Sequence, residues 1–141
     1  MATRKKSNEK KYIEYRKNKK AGCDFCGFGS EPAKVLNEYD NFWIVENIFG
    51  YDLWDSMTVV EHLMIVPKKH TESIGNLGAE VLAEYGQIIA DYDKLGYSFY
   101  ARAAGNKSKS IPHQHTHLLK FDGKRKKFYM FLKKPYILWY R

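Results

Sequence analysis

The segment Ser110–Phe121, SIPHQHTHLLKF, holds three of the chain's five histidines, His113, His115 and His117. If it forms a strand, the three imidazoles share one face and Gln114 and Thr116 share the other, because side chains alternate along a strand. Such a row predicts either a metal site or a site for phosphate chemistry. A histidine-rich surface strand is the alternative.

Imidazole suits phosphate chemistry because its unperturbed pKa is ~6.5, so the neutral form is abundant near neutral pH. A neutral imidazole can attack phosphorus and form a covalent intermediate. Neighbouring donors can stabilise the phosphate oxygens, and a second imidazole can move a proton to the leaving group. One short segment can therefore supply nucleophile, charge stabiliser and proton shuttle.

The surrounding pattern predicts an α+β fold in which an antiparallel sheet of five to six strands packs on one long helix. Apolar residues recur with helical spacing over 77–95, with Asn76 as the expected N-cap and Gly96 just past the end. Asp122-Gly123 indicates a tight turn. Strands are expected over 33–40, 41–48, 59–67, 97–103 and 113–121, with one or two more in 127–141.

A length of 141 residues and a hydrophobic fraction of 44% suit one domain with a buried core. We expect a basic, flexible tail or short frayed helix over 1–20, followed by a single domain over 21–141. The net charge is +8, and the basic residues concentrate at the two ends of the chain, which favours polyanionic partners. No apolar run predicts a membrane span or secretory signal, so a cytoplasmic location is expected.

Cys23 and Cys26 form a C-x-x-C pair, the only cysteines in the chain. A disulfide is unexpected in a cytosolic protein. A redox motif would call for a helix after the pair, whereas the turn-like GFGSEP follows. The pair therefore favours half of a metal site.

The histidine segment resembles the histidine triad (HIT) motif, His-φ-His-φ-His-φ-φ with φ hydrophobic. The upstream stretch Glu61–His70, EHLMIVPKKH, is similar to the strand that precedes the helix in that family. The order of strand, helix, strand, serine-bearing loop and triad also agrees over roughly 21–121. The resemblance implies the HIT-like fold, binding of nucleotides, and cleavage or transfer at the α-phosphate.

By position, the resemblance implies a role for each site residue. His115 matches the nucleophile, His117 the residue at the phosphate and leaving group, and His62 a further active-site histidine. Ser110 matches the serine that helps to hold the phosphate. Val35, Phe42 and Trp43 are the candidates near base and ribose. Apart from the resemblance, Lys107 and Lys109 in the loop before the triad could contact a longer phosphate chain, and Gln114 is also expected at the substrate.

The resemblance also implies a structural zinc site, because in zinc-bearing members two histidines join the cysteine pair. Those positions are His70 and His113, so the expected zinc ligands are Cys23, Cys26, His70 and His113. The chain departs from the motif at Gln114 and Thr116, which are polar where apolar residues are usual. Lys109 stands where many members have glutamine.

Three functions remain open on the sequence. The leading one is a nucleotide hydrolase or transferase with a nucleotidyl-histidine intermediate. A second is removal of AMP from nucleic-acid ends, as in members resembling aprataxin, with the basic ends contacting phosphates. The third is a zinc-stabilised nucleotide-binding module without turnover. The resemblance further implies a homodimer.

Overall fold

The computed structural model describes residues 3–19, 21–27, 35–126, 130–133 and 136–139, and for 130–139 it describes the backbone alone. It contains helices α1 (Lys6–Asn18) and α2 (Ala79–Lys94). The strands are β1 (Val35–Glu38), β2 (Phe42–Glu46), β3 (Leu53–Trp54), β4 (Met57–Pro67), β5 (Ser98–Ala101), β6 (Thr116–Arg125), β7 (Met130–Lys133) and β8 (Tyr136–Trp139).

Six strands form one antiparallel sheet in the order β1-β2-β4-β6-β5, with β3 paired to β4. The central pair is β4 and β6, in which Met64 lies opposite His117 and Leu63 opposite Leu118. β7 and β8 form a separate two-stranded sheet. The α+β prediction with a six-stranded antiparallel sheet is confirmed. Among the described residues, no helix is long and apolar enough to cross a membrane.

Helix α2 covers one face of the sheet, as its apolar spacing predicts. Ile88 is fully buried there with Ile44, Ile65 and Leu118. Gly96 follows the helix with φ +82°, a conformation that favours glycine, which confirms the predicted end. The predicted N-cap is wrong: Asn76 ends a short 3-10 helix, Ile74–Asn76, and Gly78 caps α2.

Two predictions around β6 are also wrong. The strand begins at Thr116, so His113 and His115 precede it: His113 lies in a bend, and neither residue belongs to a strand. Asp122-Gly123 lies inside β6 as a bulge: Val59 pairs with Phe121 and Met57 with Arg125, so β6 has extra residues between these pairs. Gly123, at φ +69°, supplies the left-handed conformation that the bulge requires.

Helix α1 occupies the N-terminal region, for which the sequence left open a flexible tail or a frayed helix. It has no buried residue, so its own apolar contacts hold it weakly. Long-range hydrogen bonds attach both the residue just before the helix and the helix itself to the loop after β2. Asn8 Nδ2 donates to the Gly50 carbonyl at 2.9 Å, and the Lys5 N–H donates to Asp52 Oδ2 at 2.7 Å.

Candidate functional site

The face of the sheet opposite α2 carries the histidines. Antiparallel register places Val45, Met64, His117 and Tyr100 side by side across four strands. His62 lies two residues before Met64 on β4 and so shares this face. The rings of His62 and His117 have their centroids 5.0 Å apart, as have those of His115 and His117. The structure thus brings three of the predicted catalytic side chains together.

The hydrogen bonds of His62 determine where its proton lies. The Tyr51 N–H donates to His62 Nδ1 at 3.0 Å, so in the neutral ring the proton is on Nε2. Asn47 Nδ2 also lies 3.1 Å from Nε2, but it cannot donate to a nitrogen that holds its own proton. His62 Nε2 therefore donates to His117 Nδ1 at 2.9 Å.

This contact sets the tautomer of His117 in turn. Since Nδ1 accepts from His62, the proton of the neutral ring is on Nε2. His117 Nε2 is the one buried side-chain nitrogen or oxygen without a hydrogen-bond partner among the described residues. A buried donor without a partner costs free energy, so this N–H is placed to meet an acceptor from outside the protein.

His115 has the opposite arrangement. Its Nδ1 lies 2.9 Å from the His113 carbonyl oxygen, which can only accept, so Nδ1 carries the proton. The lone pair of the neutral ring is then on Nε2. Side by side, His115 presents a nucleophilic nitrogen and His117 presents a hydrogen-bond donor, which is the combination that attack on a phosphate requires.

Burial keeps these imidazoles neutral. It lowers the pKa of His62 to about 3, with further repulsion from Arg4 and His115. Burial likewise lowers the pKa of His117 to about 2, assisted by His62, His115, Arg102 and Arg4. The pKa of His115 is also lowered by burial, against the opposing effect of the carbonyl bond.

The low pKa of His62 predicts that the free energy of unfolding decreases at acidic pH. Below pH ~6.5 the unfolded chain protonates His62, whereas the native state stays neutral until about pH 3, so the free energy of unfolding falls as pH falls through this window. Between about pH 6.5 and about pH 5, wild type should lose roughly 1.5 kcal/mol more than a His62→Gln variant. Urea unfolding of both proteins at the two pH values measures this difference, and equal losses contradict it.

A cavity of about 270 Å³ opens beside the histidines. His115, His117 and Ser110 line it, together with an apolar wall that includes Phe25, Leu36, Ile48, Phe49, Met64 and Ile111. Leu36 and Ile48 are 58% and 64% exposed, so they form an apolar lip that a planar ligand could cover. The remaining wall is polar and contributes Arg4, Tyr12, Tyr15, Arg16, Lys19, Asp24, Glu46, Asn47, Tyr51 and Arg102.

Some residues expected at the substrate lie outside this cavity wall. Lys109 Nζ donates to the Glu72 carbonyl at 2.7 Å and to Gln114 Oε1 at 2.9 Å, so it joins two loops. Gln114 is buried, which accounts for a polar residue at this position of the motif: Lys109 satisfies its oxygen. Thr116 is satisfied likewise, by the hydroxyl of Tyr85 on α2 at 2.7 Å. Lys107 is exposed in the same loop.

The residues expected near base and ribose also lie outside the cavity wall. Phe42 faces α2 in the core, whereas Trp43 packs on the histidine side, and neither lines the cavity. Val35 packs beside Trp43 and is likewise absent from the wall. Leu36 and Ile48, which do line it, lie on β1 and just after β2. The alternation of side chains predicts which face of a strand a residue occupies, but not whether that residue reaches the cavity.

Four predicted metal ligands converge at the other end of the histidine segment. The ligand atoms of Cys23, Cys26, His70 and His113 all lie within 4.8 Å of one another, so they could hold a metal ion. His113 Nδ1 is 3.3 Å from Cys23 Sγ and 3.6 Å from Cys26 Sγ. His70 Nδ1 is 3.2 Å from Cys26 Sγ.

These separations fit a small tetrahedral ion. Ligands 2.0–2.3 Å from zinc lie roughly 3.3–3.8 Å apart at tetrahedral angles. The tautomer of His113 fits as well: Nε2 donates to the Pro67 carbonyl at 2.9 Å, which leaves the lone pair of Nδ1 facing the cysteines. Phe25, between the two cysteines, contacts the rings of His113 and His115 at centroid distances of 5.8 and 5.1 Å. The Cys23–Cys26–His70–His113 cluster and the cavity therefore both contact Phe25.

Sequence reasoning missed several cavity residues. Arg4, Tyr51 and Arg102 come from three separate segments, and no local motif links them to the triad. A weak signal existed in α1, where Tyr12 and Tyr15 are three residues apart and so share a helix face. Both rings pack on Phe49, at 5.5 and 5.0 Å.

Comparison with solved structures identifies the fold. A HIT family hydrolase from Legionella pneumophila Philadelphia 1 superposes with a TM-score of 0.53 and 23% identity, over 74% of this chain and 95% of that one. A histidine triad protein from Clostridium difficile gives 0.51 and 17%, over 79% and 99%. A histidine triad nucleotide-binding protein from Candida albicans gives 0.52 and 19%, over 72% and 76%.

The chain therefore has the histidine triad fold, and the resemblance drawn from the sequence is confirmed at the level of the fold. No family model matches the sequence, and a search of curated proteins gives no match. The bacterial structures are covered almost completely while about a quarter of this chain lies outside the shared fold.

Proposed function

We propose that this protein is a nucleotide-binding hydrolase or transferase that acts at an α-phosphate through a covalent nucleotidyl intermediate on His115. The observation that carries the proposal is the opposed pair of tautomers beside the cavity. The His113 carbonyl holds the proton of His115 on Nδ1, and His62 holds that of His117 on Nε2. The structural neighbours include a HIT family hydrolase and a histidine triad nucleotide-binding protein, which agrees with the proposal.

In the first step, the lone pair of His115 Nε2 attacks phosphorus and the bond to the leaving group breaks. The electron pair of that bond departs on the leaving group, which takes up a proton from solvent where it leaves as ammonia. The ring then carries a positive charge, which the His113 carbonyl stabilises through Nδ1–H. In the second step water, or another acceptor in a transferase, attacks phosphorus and the P–N bond electrons return to Nε2. The proton released by water leaves with the products.

His117 acts as a donor in this proposal. Its Nε2–H would bind a phosphate oxygen or the bridging atom, where negative charge develops in the transition state. His62 acts through His117 and is a positioning residue, because it fixes the tautomer and orientation of the ring. Ser110, on the cavity wall, would bind a second phosphate oxygen. Lys107, Lys109 and Gln114 are then structural or peripheral.

The apolar lip offers the place for the nucleobase. A planar base would cover Leu36 and Ile48 and remove their exposed apolar surface from water. Phe25 lines the same cavity and contacts the His115 ring at a centroid distance of 5.1 Å. The base and ribose positions thus move from Phe42 and Trp43, which the sequence indicated, to side chains at the strand ends.

We further propose that the ion held by the Cys23, Cys26, His70 and His113 cluster is zinc. Two thiolates and two imidazoles form the donor set that zinc prefers, and four protein ligands leave no open position, which indicates a structural role. When bound, zinc would cross-link the Cys23–Cys26 turn to His70 and to His113, which lies in the segment before β6. The protein residues do the chemistry.

Turnover of nucleotides by purified wild type tests the proposal. We expect release of a nucleoside monophosphate from nucleoside 5′-phosphoramidates or 5′-polyphosphates, measured by liquid chromatography across the four bases. Lys69→Ala, an exposed site outside the cavity, should match wild type. Nucleotide binding without turnover in every case would contradict an enzyme and favour the binding-module alternative.

Homodimer formation, contact with nucleic acid through the basic ends, the cytoplasmic location and the domain limits at 1–20 and 21–141 stay predictions. The C-terminal basic residues lie mostly outside the described side chains. A gel-shift titration with and without residues 1–20 tests the nucleic-acid contact, since each phosphate contact adds to the salt dependence of binding.

A further inference from the structure

The N-terminal arm, residues 3–19, forms one side of the cavity and is anchored there over its first half. Thr3 makes a β-bridge to Leu53, which β3 contributes. Arg4 Nε donates to the Phe49 carbonyl at 2.7 Å. With the bonds of Lys5 and Asn8 described above, four successive contacts hold the arm against the loop after β2, so Arg4 has a defined position.

Arg4 lines the same cavity as His115 and His117 and is linked to the histidines through the Tyr51 ring. Its guanidinium carbon is 4.7 Å from the centre of the Tyr51 ring and 4.4 Å from that of Tyr12. The Tyr51 ring in turn lies 5.1 Å from His62 and 5.8 Å from His117. The side chain of Arg4 is 15% exposed, so its charge is partly desolvated and acts strongly on neighbours.

A second guanidinium reaches the Tyr51 side chain from the end of β5. Arg102, just after β5, donates from Nη1 to the Tyr51 hydroxyl at 3.4 Å and lines the cavity. Both arginines repel a proton on His117 and contribute to its low pKa. Tyr51 thus contacts both cations of this part of the cavity wall, Arg4 through its ring and Arg102 through its hydroxyl.

The charge in the cavity wall is not balanced by acids. Four cationic side chains line it, against Asp24 and Glu46. Lys19 is paired with Asp24 at 2.9 Å. Arg4 also pairs with Glu9 at 3.3 Å, but Glu9 lies outside the cavity wall and is 37% exposed. Even with this pair counted, an excess of positive charge remains in the cavity wall, which suits a ligand with more than one phosphate.

We propose that the N-terminal arm is part of the binding site and that Arg4 binds a phosphate in the leaving group, next to His117. The chain then favours nucleotides whose α-phosphate is joined to a further phosphate over those whose leaving group is uncharged. This inference rests on the proposed function and names the substrate class of the same site. Arg4 is a specificity-determining residue, and Arg102 assists it.

A pair of substrates that differ in the leaving group alone tests the inference. We compare kcat/KM for a nucleoside 5′-diphosphate and for the 5′-phosphoramidate of the same nucleoside, whose leaving group is ammonia. Arg4→Gln should lower kcat/KM for the diphosphate about 10-fold or more, the usual effect of losing a charge-assisted hydrogen bond, and for the phosphoramidate less than about 3-fold. Arg4→Lys should recover part of the ratio, and Lys10→Gln, an exposed cation of α1, should change neither.

The ratio of the two values separates specificity from structure, since a variant that disturbs the fold lowers both alike. An unchanged ratio in Arg4→Gln overturns the inference and leaves the proposed function standing. Calorimetric measurement of nucleotide binding tests the phosphate site in the case where the proposed function fails. If wild type turns over neither substrate, an Arg4-dependent preference of at least about 10-fold for the diphosphate over the monophosphate supports the phosphate site alone, and no preference overturns it.

Discussion

Replacing His115 by alanine is expected to abolish turnover while nucleotide binding persists. The side chain supplies the Nε2 lone pair, and neither His117 nor His62 can take over, because each presents a proton from its Nε2. Loss of a nucleophile that acts as part of a unit costs about 10³-fold or more in kcat. Binding should change less than about 10-fold, because the apolar lip and the arginines remain.

Steady-state assays and calorimetry on the same preparations measure the two effects. His117→Gln serves as a graded comparison, since it removes a donor and not the nucleophile, and should cost about 10²-fold. Intact-mass spectrometry of rapidly quenched wild type should find a fraction of chains heavier by one nucleotidyl group, absent in His115→Ala. Full activity in His115→Ala would show that the nucleophile is elsewhere.

Removing the metal site is expected to have the second large effect. Purified wild type should contain about one zinc per chain, and the Cys23→Ala plus His70→Ala double variant none. Metal binding is coupled to folding, so the variant should lose at least about 3 kcal/mol of stability, roughly 10 °C in Tm. Elemental analysis and thermal unfolding measure these quantities.

The same variant should also lose activity at temperatures where it remains folded. Phe25 lies in sequence between Cys23 and Cys26 and contacts the His115 ring, so loosening the Cys23–Cys26 turn removes a packing contact of His115. A further link is the Gln114 N–H, which donates to the Thr71 carbonyl at 2.6 Å next to His70. Lys69→Ala, beside His70 and exposed, is the matched control. Wild type without zinc, or zinc retained by the double variant, contradicts the site.

The strand patterns and the helical period of 77–95 were enough to predict the sheet and α2, and the alternation of the triad predicted that His115 and His117 lie together. His62 joined them through the family resemblance. The metal cluster came from the family resemblance, because residues 44 positions apart cannot be paired by spacing. The depth and polarity of the cavity could not be predicted. They depend on which strand ends meet, and strand boundaries such as Thr116 are set by pairing with β4 and β5.

The sequence by itself predicted that the three histidines work together, because imidazoles at alternate positions of one short segment are close neighbours along the chain. Only the tertiary structure assigned the tautomer of each ring. The carbonyl of His113, the N–H of Tyr51 and the ring of His62 assign each proton, and these contacts reach up to 55 positions along the chain. Tertiary contacts likewise bring Arg4 across 45 positions to Phe49, because desolvated charge and ring stacking act through space.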